Sequence, residues 1–146
     1  MLERIFHLFP LIQFRTLQIK TVTENELSKI IIGESIILHK SLGPGLLESV
    51  YERCLVHRLI KANFFVEEQR PIPLIYDGIH LECGFRCDIV VEKKLIIEVK
   101  AVDALNDIHR AQLITYLKLT GLKLGLLINF NVARLKDGLK RVVNNL

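Results

Sequence analysis

Arg86-Cys87-Asp88-Ile89-Val90-Val91-Glu92-Lys93-Lys94-Leu95-Ile96-Ile97-Glu98-Val99-Lys100 is the stretch that decides how this chain is read. Two apolar runs flank the polar triplet Glu92–Lys94, the pattern of two strands joined by a turn. Along the second run Leu95, Ile97 and Val99 alternate with Ile96, Glu98 and Lys100. Glu98 and Lys100 therefore project from one face of an otherwise apolar strand. An unpaired buried charge is expensive, so a solvated edge face or a Glu98–Lys100 ion pair is the plain explanation. Asp88 shifts the balance. Folding the hairpin about Lys93 sets Asp88 beside Glu98, and adjacent carboxylates repel one another unless a cation lies between them. Oxygen ligands of this kind suit Mg2+ or Mn2+ and not zinc. Such an ion polarises a phosphoryl oxygen and activates water. Lys100 is then placed to orient that water or to stabilise charge developing on phosphorus.

Outward from this stretch the periodicities change. Upstream, Phe64–Glu68 and Pro71–Tyr76 read as extended, and Asp77-Gly78 as a hairpin turn leading into one long strand over Ile79–Val91. Glu92-Lys93-Lys94 turns the chain again into Leu95–Ala101, so three antiparallel strands are expected to form a meander. Before them, Thr23 and Glu26 make a capping-box pattern that starts a helix over about Glu24 to Ser41. Gly43-Pro44-Gly45 ends it, and Leu47, Val50, Tyr51, Cys54, Leu55 and Leu59 give a second helix over about Leu46 to Ala62. Downstream, Asn106 or Asp107 caps a helix running to about Leu119, stopped by Gly121. Leu124–Phe130 is a continuous apolar run, as for a strand buried on both faces. Strand, helix, strand over Leu95–Phe130 is a βαβ crossover with parallel strands. The order is ααβββαβ plus a C-terminal tail, Lys136–Asn144, that reads equally as helix or strand. The class is α/β, with a mixed central sheet flanked by helices. Residues 23–146 form a single domain. Met1–Val22 lacks a clean period and reads as an arm, either disordered or an interface through Ile5, Phe6, Leu8, Phe9, Leu11 and Ile12.

Composition narrows the functional classes. The chain has 146 residues, 50% of them hydrophobic and 25% charged, which excludes a disordered or collagen-like chain and suits one domain with its own core. No apolar run approaches the ~20 residues of a membrane-spanning helix. No small-residue cleavage site follows the N-terminal apolar patch, so a cytoplasmic location and no membrane partner are expected. Three cysteines argue against a disulfide framework. Cys83 and Cys87 are expected to pack on one strand face with Phe85, Ile89 and Val91. The net charge of +4 permits a polyanion. After position 109, Arg110, Lys118, Lys123, Arg134, Lys136, Lys140 and Arg141 face only Asp137 in opposition, a pattern that a solvated helix face would share. His39 and His57 read as surface or core-edge residues, and His109 as one that could enter a cleft beside Gln112. No Ser/His/Asp or Cys/His order is persuasive, and no Gly-x-x-x-x-Gly-Lys loop is present.

Asp88…Glu98-Val99-Lys100 resembles the signature of the PD-(D/E)XK nuclease superfamily, with Cys87 where the nominal pattern has Pro. Gly45-Leu46-Leu47-Glu48-Ser49-Val50-Tyr51 resembles the motif from which the GxxExxY proteins take their name, and Gly125–Phe130 is similar to a late stretch of the same proteins. Gln112-Leu113-Ile114-Thr115-Tyr116 resembles the QxxxY element of the exonuclease-like branch. The resemblance runs from about Glu24 to Asn144. It implies a restriction-endonuclease-like core and a metal-dependent nuclease that hydrolyses phosphodiester bonds of nucleic acid, DNA first. Asp88, Glu98, Glu48 and a backbone carbonyl near Val99 would hold one or two Mg2+ (or Mn2+), and Lys100 would orient the water. Gln112 and Tyr116 would support the cleft through Lys100 or a phosphate. Each has a plainer reading: Glu48 as a solvent-facing helix residue, Tyr51 as a core-edge aromatic whose hydroxyl could hold Glu48 or a phosphate, Gln112 and Tyr116 as a polar stripe. Two rivals stand beside the nuclease: a non-catalytic nucleic-acid or protein binding module on the same fold, and a structural α/β domain in which Glu98 and Lys100 merely pair. Small nucleases of this fold often act as pairs, so a homodimer is a further expectation.

Overall fold

A computed structural model describes residues 21–82 and 84–146. Most of the expected N-terminal arm, including its apolar interface residues, lies outside the described residues, as does Cys83. Thr23 opens α1 (Glu24–Leu42): its hydroxyl accepts the Glu26 amide at 3.2 Å, and the Glu26 carboxylate accepts the Thr23 amide at 3.0 Å. These reciprocal bonds satisfy two orphan donors of the first turn. The Gly43–Leu47 turn leads into α2 (Glu48–Lys61). Tyr51 locks that turn: its hydroxyl donates to the Gly43 carbonyl at 2.6 Å and accepts the Leu46 amide at 3.1 Å. Its ring stacks on Phe130 with centroids 4.6 Å apart. The Tyr51 hydroxyl is thus committed to the backbone and does not hold Glu48.

The sheet contains β1 (Val66–Pro71), β4 (Arg86–Val91), β5 (Leu95–Lys100), β6 (Leu124–Asn129) and β7 (Leu139–Val143), in the spatial order β1-β4-β5-β6-β7. Between β1 and β4 a separate two-stranded hairpin, β2 (Leu74–Tyr76) and β3 (Ile79–Leu81), turns at Asp77 and Gly78, both at positive φ. The long strand expected over Ile79–Val91 is therefore two strands. Gly84 sits at φ +72 between them, and Ile75, Tyr76 and Ile79 are exposed, with no described helix packed over them. The last hairpin of the expected meander holds, β4 pairing antiparallel with β5, but the strand on the other side of β4 is β1, with Val66 opposite Val91.

The β4–β5 turn is tight. Glu92 and Lys93 both adopt φ +54, and the Lys94 amide donates to the Val91 carbonyl at 3.0 Å. Neither residue is Gly, so the backbone is held by its surroundings: Glu92 Oε1 accepts the Phe65 amide at 2.6 Å, and the Glu92 amide returns a bond to the Phe65 carbonyl at 2.8 Å. From β5 the chain crosses through α3 (Asp107–Thr120) to β6, which pairs parallel with β5 from Leu95–Leu124 to Lys100–Asn129. Asn106 caps α3 and Gly121 ends it in the left-handed conformation. His109 completes that cap through Nδ1, accepting the Asn106 amide at 3.2 Å, which ties it to the helix start and not to a cleft. The ambiguous tail resolves into a 3-10 turn, Leu135–Gly138, and the antiparallel edge strand β7.

Helices α1 and α2 cover one face of the sheet and α3 the other. Leu95, Ile97 and Val99 of β5 join the first core, with Leu27, Ile31 and Leu55. Ile96 joins the second, with Val90, Leu113, Tyr116 and Leu127. Cys87 belongs to this second core, not with Ile89 and Val91 as expected. The alternation of β4 breaks at Asp88, opposite Gln69, whose φ is +49.

Two glycines test this packing. A Cβ on Gly138 would overlap the Asn129 carbonyl oxygen, whereas Gly33, inside α1, has open space around it. Gly138→Ala should destabilise by about 1–3 kcal/mol, and Gly33→Ala should stabilise by about 0.5–1 kcal/mol. Denaturant midpoints of the two variants check both signs.

Candidate active site

The pairing of β4 with β5 stops one step short of its own register. Ile89 faces Ile97, Val90 faces Ile96 and Val91 faces Leu95, and the next pair would be Asp88 with Glu98. There the side chains take over from the ladder. The Asp88 amide donates to Glu98 Oε1 at 3.1 Å, and the Val99 amide donates to Asp88 Oδ2 at 2.9 Å. The strands part into a fork with both carboxylates in its crotch. Each acid gives one oxygen to a backbone amide of the partner strand, and the other oxygen of Asp88 accepts from Gln69 Nε2 at 3.4 Å.

Glu98 is almost completely enclosed, at 3% exposure. Burial, and then the Asp88 charge beside it, push its carboxyl up to about 8; Lys100 and the Asp88 amide pull the other way. Lys100, two residues on along β5, is half-buried. The hairpin thus brings Asp88, Glu98, Val99 and Lys100 together, as the sequence spacing anticipates.

A family model for the PD-(D/E)XK nuclease superfamily matches residues 25–142. The chain belongs to the PD-(D/E)XK nuclease superfamily. No curated protein and no solved structure matches it. The five-stranded mixed sheet between helical layers is this superfamily's restriction-endonuclease-like fold.

The other expected site residues fall at different distances from the fork. Tyr116, on α3, is 5% exposed, and burial followed by the Glu98 charge raises its hydroxyl pKa, so it shares Glu98's enclosure. Gln112, one turn earlier, is exposed to solvent. Glu48 opens α2 and is half-buried, and its charge acts on Glu52 one turn later. Glu52 escapes sequence reading, yet it is the α2 acid bound most directly to the site. Gln69 Nε2 donates to Glu52 Oε1 at 2.6 Å and reaches Asp88 Oδ1 at 3.4 Å. Burial is the main reason the Glu52 carboxyl pKa is raised, with Asp88, Glu68 and Glu48 adding to it. The helical spacing of Glu48 and Glu52, four residues apart on one face, is the signal that could have flagged it. Gln69 offers none in the sequence.

The donor set can be tested against a divalent ion. Among the described residues, no group of three or more His, Cys, Asp or Glu is gathered tightly enough to cage a metal. What the fork offers is two adjacent hard-oxygen acids, with a third one amide group away. Mg2+ commonly takes one or two carboxylates and fills its remaining positions with water and substrate phosphate, so the residues fit such an ion and fit zinc poorly. Cys87 does not change this: burial, then the Glu98 charge, push its thiol up to about 12, far from a metal-binding thiolate.

Burying Glu98 has a thermodynamic signature. A carboxyl raised from an ordinary 4.5 to about 8 costs no stability below the unfolded-state value. The penalty grows between the two values and is complete above the higher one. Gln in its place keeps an oxygen for the Asp88 amide and removes the charge. Metal-free Glu98→Gln should therefore melt higher than the parent at pH 9, with the gap closing toward pH 5, as thermal melts across that range would show.

Proposed function

We propose that the protein is a metal-dependent nuclease that hydrolyses phosphodiester bonds, with DNA as its first substrate class, and that it groups with the GxxExxY proteins. The observation that carries this reading is the fork itself. Two carboxylates replace two ladder bonds, one of them buried against its charge preference, and a lysine follows two residues later. A structural sheet gains nothing from that arrangement, because an apolar pair continuing the ladder would be cheaper.

In this reading Asp88 and Glu98 would hold Mg2+ or Mn2+, with the Val99 carbonyl and the α2 acids Glu48 and Glu52 beside them. The bound ion supplies Lewis-acid polarisation of the phosphoryl oxygen and a more acidic water. Lys100 orients that water and stabilises the negative charge that grows on phosphorus. Tyr116 covers the Glu98 side of the cleft and excludes bulk water, and Gln112 at the rim meets the nucleic-acid backbone. The basic residues of the last third add sequence-independent, salt-dependent affinity. Arg134 contributes least, since it already pairs with Asp137 at 3.1 Å.

A panel of duplex, branched and single-stranded DNA and RNA, incubated with Mg2+ or Mn2+, tests the reading. Cleavage should require the ion and stop with a chelator. Lys100→Ala should slow it by roughly 10²–10³-fold, and Asp88→Ala and Glu98→Ala at least as much. Activity that survives chelation or these substitutions would refute it. Salt-dependent binding without cleavage of any substrate would instead establish the non-catalytic module.

A further inference from the structure

We propose that Gln69 is a positioning residue for metal loading, its side-chain amide coupling Glu52 of α2 to Asp88 of β4. The inference rests on the metal-site reading above and assigns a role to an uncharged residue outside the family signature.

Three observations carry it. The first is the bridge: Gln69 Nε2 donates to Glu52 Oε1 at 2.6 Å and to Asp88 Oδ1 at 3.4 Å. It joins a helix of one layer to a strand of the sheet at the one place where the sheet opens. The second is the backbone. Gln69 holds φ +49 in the middle of β1, between the regular pairs Glu68–Ile89 and Arg70–Cys87. For a residue with a Cβ this left-handed conformation is unfavourable. The third is that Gln69 is exposed, so burial of its side chain does not offset the cost. Its two carboxylate contacts are what the unusual conformation achieves.

The chemistry explains the choice of residue. A glutamine amide offers two N–H donors and no charge. It therefore eases the repulsion between two acids as a weak stand-in for a cation, without competing permanently for the site. The bond to Asp88 is the longer one, and it falls on Oδ1. Oδ2 is fixed by the Val99 amide, so Oδ1 is the oxygen an arriving ion can take while Gln69 keeps Glu52 in place.

Mn2+ titration by calorimetry, with thermal melts of the same samples, tests this on the full chain. Gln69→Gly removes the amide and suits the left-handed backbone, so the metal-free variant should melt at or above the parent temperature. Its Mn2+ affinity should fall roughly 10–100-fold, the usual consequence of losing a residue that orients a ligand. Gln69→Glu turns the donor into an acceptor facing two carboxylates. That variant should melt lower without metal and recover when Mn2+ is added, which a purely structural turn residue would not do. Mn2+ affinity in Gln69→Gly within twofold of the parent would overturn the proposal while leaving the metal site standing. A parent that binds no Mn2+ at millimolar concentrations would overturn both.

Discussion

The reciprocal exchange at the β4–β5 fork is the constraint on which the site depends. Asp88 and Glu98 each hold a backbone amide of, or beside, the other's strand end, at 3.1 and 2.9 Å. A buried amide left without a partner costs about 1–3 kcal/mol, so the fork cannot open unless side chains replace the ladder. Carboxylates are the replacement that also leaves acceptor oxygens pointing into the gap. One pair of residues thus ends the sheet pairing, fixes the spacing of the acids and keeps them available. The cost falls mainly on Glu98, enclosed by the α3 layer and facing a second acid.

That enclosure follows from the crossover. Because β5 runs parallel to β6, α3 must lie over the face that carries Ile96 and Glu98, and it brings Leu113, Tyr116 and Leu117 with it. The opposite face of β5 is closed by α1 and α2 through Leu95, Ile97 and Val99. A strand buried on both sides has no solvent route for a charge except at its end, where Glu98 and Lys100 stand. Among the described residues no helix is long and apolar enough to cross a membrane; the apolar runs are consumed by these two cores.

Much of this was legible in the sequence because it is local. The alternation along Leu95–Lys100 fixes which face carries the charges, the polar triplet fixes the hairpin, and together they put Asp88 beside Glu98. The capping boxes and the αL glycine at Gly121 are equally short-range. What stayed hidden depends on tertiary context. The break between Leu81 and Arg86 goes with a β2–β3 hairpin that no described helix covers, which no residue pattern there announces. The tail β7 was ambiguous because only Val142 of its five residues is buried, as befits an edge strand. Cys87 changed faces because regular alternation fails at Asp88. Glu52 and Gln69 enter the site from α2 and β1, elements whose meeting point is set by packing and not by any spacing along the chain.

The two sides of the fork are held by different bonds. On the Lys100 side, Asn129 at the end of β6 is buried. Its Oδ1 accepts the amides of Val102 and Asn131, and its Nδ2 donates to the Val102 carbonyl at 2.9 Å. Phe130 adds a bond to the Lys100 carbonyl at 2.9 Å, and Gly138 presses against the Asn129 backbone. The segment that follows Lys100 is therefore clamped, and the lysine stands on a rigid strand end, where open α/β sheets place their ligands. On the Asp88 side the Val99 amide holds Oδ2 at 2.9 Å, and the exposed Gln69, at positive φ, reaches Oδ1 at 3.4 Å. The Lys100 end of β5 is thus tied through the backbone and Asn129, and the Asp88 carboxylate through the Val99 amide on one oxygen and the Gln69 amide on the other.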